Sequence, residues 1–118
     1  MSITTMQHCS AIDLNILLNP VPGATYLLRV SGHSMTQAGI LDGDILLVDR
    51  SVELREGDIV VAEVNQAFTV KYLFTSPEVR LVPANSDHPT IYLSSSEELN
   101  LFGVVSSSIH QLRTHNMA

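Results

Sequence analysis

What most constrains this chain is its punctuation: short apolar runs recur between acidic glycine turns, with no long amphipathic stretch among them. Asp42-Gly43-Asp44 leads into Ile45–Val48, and Glu56-Gly57-Asp58 leads into Ile59–Val64. Asn65-Gln66 then separates Ile59–Val64 from Ala67–Phe74, which predicts a tight hairpin turn. Further strands are expected at Ala24–Ser31, Val79–Val82, Thr90–Leu93 and Leu101–Ser108. In the first of these, Tyr26, Leu28 and Val30 share one face by alternation. Asp13–Leu18 reads as one short helical turn capped by Asp13 and closed at Asn19-Pro20-Val21-Pro22-Gly23. The pattern predicts a small all-β domain of twisted sheets and hairpins.

The length, 118 residues, suits one domain with one continuous core, and 45% hydrophobic with 15% charged residues suits an ordered fold. Residues 1–11 are polar and aperiodic, so a flexible N-terminal arm is expected there, a folded unit over 12–111, and a fraying tail over 112–118. No apolar run approaches the roughly 18 residues of a membrane span, and the first ten residues lack the basic and apolar regions of a secretory signal. Cys9 is the single cysteine, which excludes an internal disulfide and makes the cytoplasm the expected compartment. Twelve acidic residues face five arginines and one lysine, for a net charge of −6. That balance argues against the domain gripping a phosphate backbone by itself, so any role near DNA is expected to run through a protein partner.

The one lysine, Lys71, lies inside the apolar run Ala67–Phe74 and shares a strand face with Thr69 and Leu73. Apolar surroundings disfavour the ammonium, and a lysine neutral near physiological pH is a candidate general base. The plainer alternative is an edge-strand lysine reaching to water. A base needs a nucleophile, and Ser34 stands out among thirteen serines because Ser31-Gly32-His33 before it must bend sharply. Such a bend exposes a hydroxyl and places the backbone N–H groups of Ser34 and Met35 as a candidate oxyanion hole. His33 adjoins Ser34, but neighbouring side chains on extended backbone point apart, so it is expected to be a polar or half-buried bystander. His8, His88, His110 and His115 are scattered, without the spacing of a zinc site, so neither metal nor cofactor is expected. Asp42 and Asp44 are read as turn formers, since Ile45-Leu46-Leu47-Val48 follows where a calcium loop would need oxygen ligands.

Ser31-Gly32-His33-Ser34-Met35, with Gly39-Ile40-Leu41-Asp42-Gly43-Asp44 and Val48-Asp49, resembles the nucleophile segment of the LexA/UmuD family of self-cleaving serine peptidases. Glu56–Val60 and Phe68–Leu73 resemble the family's base-bearing hairpin, and Ser34 precedes Lys71 by 37 positions, the interval of that family. Leu81–Asn85 and Phe102–Val105 match its later strands, so the likeness covers about Ile12 to His110 and is strongest to the UmuD branch. The resemblance implies a Ser34–Lys71 dyad with an oxyanion hole at Ser34 and Met35. It also implies cleavage of the protein's own arm, prompted by a RecA-type recombinase filament. The processed product is then a homodimer that joins the catalytic subunit of an error-prone translesion polymerase.

The chain departs from the family pattern at one place. No Ala-Gly or Cys-Gly pair, the usual cleavage dipeptide, precedes Ser34; Cys9-Ser10 comes nearest. An already processed or naturally short form is therefore expected. The alternatives are an enzyme cutting another chain's arm in trans, and the dimerisation and autocleavage domain of a LexA-like or phage-type repressor.

Overall fold

The computed structural model describes residues 2, 3, 5, 11–93 and 99–113. Most of the expected arm, Cys9 included, lies outside the described residues, as do Ser94–Ser96 and residues 114–118. The elements are α1 (Leu14–Leu18), β1 (Thr25–Arg29), a 3-10 turn (Thr36–Ala38), β2 (Ile45–Asp49), β3 (Ile59–Val64), β4 (Ala67–Phe74), β5 (Arg80–Val82), β6 (Ile91–Tyr92) and β7 (Leu99–Ile109). The all-β expectation is borne out. Asp13 caps α1 by accepting the Asn15 N–H at 2.9 Å, and Asn19 ends it in the left-handed region.

All seven strands form one antiparallel sheet, in the order β1-β2-β7-β3-β4-β5-β6. The chain's last strand thus inserts between β2 and β3 and ties the two halves together. β7 runs eleven residues and bends twice: Phe102 and Ser106 are each an extra residue against the partner strand. Gly103 sits at the first bend because nothing larger fits. A Cβ there would stand 2.8 Å from Val48 Cγ1 and 3.0 Å from the Asp49 carbonyl oxygen.

Alternation in the strands divides the core in two. Met35, Ile40, Leu46, Val48 and Val61 make one cluster, against which Leu28, Val30 and Val70 pack. Val60, Ala62, Leu73 and Leu81 make the other. Leu28 and Val30 are half-buried, whereas Tyr26 is exposed and meets Phe102 edge-on at 5.3 Å. No helix among the described residues is long and apolar enough to cross a membrane.

Candidate active site

Lys71 lies in the middle of β4, paired with Val60 of β3. The hairpin that carries it closes through Asn65 and Gln66 at φ 50° and 69°. Two left-handed residues in succession match the twist of the strands they join. The alternation read from the sequence holds: Lys71 is 8% exposed and Leu73 is 2% exposed, with Thr69 on their side. Lys71 is therefore no edge lysine. Its Nζ donates to Ser34 Oγ at 3.0 Å and to Thr69 Oγ1 at 2.5 Å. Loss of hydration on burial holds its pKa below the usual lysine value of 10.5.

Ser34 arrives on irregular backbone between β1 and β2. Gly32, at φ 108°, makes the bend, and its N–H is held by Asp42 Oδ1 at 2.8 Å. Val30 N–H donates to the Asp44 carbonyl and Gly43 N–H to the Val30 carbonyl, closing the base of the loop. From the far side, Ala84 N–H donates to the Ser34 carbonyl at 2.8 Å. Asn85 Nδ2 donates to the His33 carbonyl at 2.7 Å and to Thr36 Oγ1 at 3.3 Å. Met35 is buried and anchors the loop in the first core cluster. Among the described residues, the N–H groups of Ser34 and Met35 donate to no protein acceptor.

Ser34, Lys71, Thr69 and Met35 line one cleft of about 410 Å³, walled by Leu28, Val30 and Phe68 among others. A serine hydroxyl touching a desolvated amine can pass its proton to that amine, which is the first requirement of nucleophilic attack. His33 is exposed and offers only its carbonyl to this network, consistent with a bystander.

Asp44 is more than a turn former. It is 1% exposed, accepts the Leu41 N–H at 2.9 Å, and meets His110 Nδ1 at 2.5 Å. Burial pushes its carboxyl up, but the Leu41 N–H and the His110 ring outweigh that and hold it below the ordinary aspartate value. The pair pins the end of β7 to the loop that carries Ser34. No local spacing links residues 66 positions apart, so sequence reading missed it. Among the described residues, no group of three His, Cys, Asp or Glu side chains is placed to hold a metal ion.

Comparison with known proteins shows the family. Residues 2–106 match the Peptidase S24-like family. Protein SamA of Salmonella typhimurium is 42% identical over 103 residues, covering 87% of this chain and 71% of SamA. Protein ImpA of Escherichia coli is 45% identical over 102 residues, 86% of this chain and 70% of ImpA. The LexA repressor of Halorhodospira halophila is 51% identical over 75 residues, 63% of this chain but 33% of that repressor. With matches of this extent, the chain belongs to the S24-like peptidases, the LexA/UmuD family, as a UmuD-like serine autopeptidase of SOS mutagenesis.

Proposed function

We propose that Ser34 is the nucleophile and Lys71 the general base of this peptidase, with the N–H groups of Ser34 and Met35 as the oxyanion hole. The observation that carries this reading is the 3.0 Å contact between a buried, pKa-depressed lysine and a loop serine. Neutral Lys71 takes the Ser34 proton as Oγ adds to the scissile carbonyl carbon. The carbonyl electron pair moves onto oxygen, where the two N–H groups stabilise it. Collapse breaks the carbon–nitrogen bond, and the Lys71 ammonium returns its proton to the leaving amine. Water, deprotonated in turn by Lys71, then releases the acyl group from Ser34.

The substrate on this reading is the extended N-terminal arm of a chain of this kind, cut when a RecA-type recombinase filament presents it. Residues 12–111 form the peptidase and dimerisation unit. The product works in the cytoplasm as a homodimer with the catalytic subunit of an error-prone translesion polymerase. A net charge of −6 suits a partner-binding role better than direct contact with DNA. The repressor reading is the second choice, because the UmuD-like relatives match 86–87% of this chain and the repressor 63%.

Mixing this protein with a Ser34→Ala partner that carries an intact arm tests the reading. A shortened partner that increases with pH is expected. No product at high pH, where Lys71 is neutral whatever its surroundings, would overturn it.

A further inference from the structure

Of the polar side chains lining the cleft, Ser31, His33 and His88 stand outside the dyad and its bonds, and of these three only His88 is not exposed. Lys71 Nζ bonds both Ser34 and Thr69, and Arg29 donates to the Gly43 carbonyl at 2.8 Å. His88 lines the same cleft, half-buried, from the turn that follows β5. That turn is fixed against the Ser34 loop. His88 N–H donates to the Asn85 carbonyl at 3.1 Å, Asp87 N–H donates to Asn85 Oδ1 at 2.9 Å, and Asn85 itself grips His33 and Thr36. These bonds hold the backbone that carries His88 against the Ser34 loop.

The ring's Nδ1 is closed off from solvent and has no partner among the described residues. Buried N–H groups without an acceptor are rare, and a proton on Nδ1 would create one. Nδ1 is therefore a bare lone pair, and the proton sits on Nε2, the nitrogen left for a ligand. We propose that His88 is a substrate-binding residue, donating from Nε2–H to a main-chain carbonyl of the peptide in the cleft; this rests on the peptidase reading above. An N–H donor at this place in the cleft sets where along an extended chain the scissile carbonyl falls. His88 takes no part in the proton transfers.

The test uses the full chain with Ser34→Ala, which removes turnover, and a blocked decapeptide centred on Ala-Gly as the probe. Long-range proton–nitrogen NMR spectra at neutral pH, with His88 assigned by its loss in His88→Phe, read the tautomer directly. The Nε2–H form is expected, with an Nε2 shift on adding peptide. His88→Phe should weaken peptide binding about threefold to tenfold, and His88→Gln, which restores an N–H donor, should recover part of it. In the Ser34-containing protein, His88→Phe should raise KM by a similar factor with kcat nearly unchanged. Equal affinity with and without the ring nitrogens, an Nδ1–H tautomer, or no binding by either form would overturn the inference. Failure of the peptidase reading shows differently, as absence of cleavage by the protein with both Ser34 and His88 intact.

Discussion

Ser34 and Lys71 meet at 3.0 Å, yet they reach that point on opposite kinds of backbone. Lys71 is delivered by a hairpin whose six consecutive pairs, from Ile59↔Tyr72 to Val64↔Ala67, fix it through strand register. Ser34 is delivered by a loop with one turn of 3-10 helix, held by Asp42, Asp44, Ala84 and Asn85. Register is a property of many residues together, so no single side chain outside the hairpin decides where Lys71 lies. A pinned loop depends on each pin. The base should therefore tolerate remote substitutions that the nucleophile does not.

The largest effect comes from removing the base itself. Lys71→Ala and Lys71→Arg should each lower cleavage by ~10²–10⁴-fold, because neither side chain can take the Ser34 proton. Circular dichroism should show both variants folded, since Lys71 lines the open cleft, where a changed side chain meets space rather than packed core. Unfolding of Lys71→Ala would mean that the lysine is a structural element.

Next comes a break in the frame around the hairpin. Gly103→Ala forces a methyl against Val48 and the Asp49 carbonyl and should cost about 1–3 kcal/mol in urea unfolding. Cleavage per folded molecule should hardly change, because the β3–β4 register is kept. A collapse of activity in the folded fraction would show that the two regions are less separable than the comparison holds.

The loop side predicts the reverse pairing of effects. Asp42→Ala frees the Gly32 N–H and should cost only about 1 kcal/mol, since the bond is exposed. Cleavage should fall about tenfold through misplacement of Ser34. Single-turnover rates beside the unfolding curve separate the two quantities.

The smallest effect tests the electrostatics. With its folded pKa lowered below 10.5, Lys71 binds fewer protons folded than unfolded in the window between the two values. Stability is therefore reduced at pH values below the folded pKa and recovers as pH rises toward 10.5. Lys71→Met, which has no charge to bury, should be more stable at pH 7 by up to about 1 kcal/mol. That gain should shrink as the pH climbs through the window.

The same contrast explains what could be read from the sequence. The bounds of β3 and β4 follow from apolar runs set between turn residues, and the Asn65-Gln66 turn from its place between them. Both regularities are local, as is the Asp13 cap. Ser34 and Lys71 could be singled out because a glycine bend and a lone lysine in an apolar strand are local too. What alternation does not encode is choice of distant partner. β7 entering between β2 and β3, its bends at Phe102 and Ser106, and the contact of buried Asp44 with exposed His110 depend on contacts far apart in sequence. The orphaned Nδ1 of His88 likewise exists only after the turn beyond β5 docks on the Ser34 loop.

Because Lys71 is the only lysine in the chain, labelling with nitrogen-15 lysine gives a single side-chain amine signal to follow against pH. That signal should titrate below 10.5, and Ser34→Ala, which removes a bond but little burial, should leave the pKa lowered. A midpoint at the ordinary lysine value would contradict Lys71 as the base, since an ammonium at working pH cannot receive the Ser34 proton.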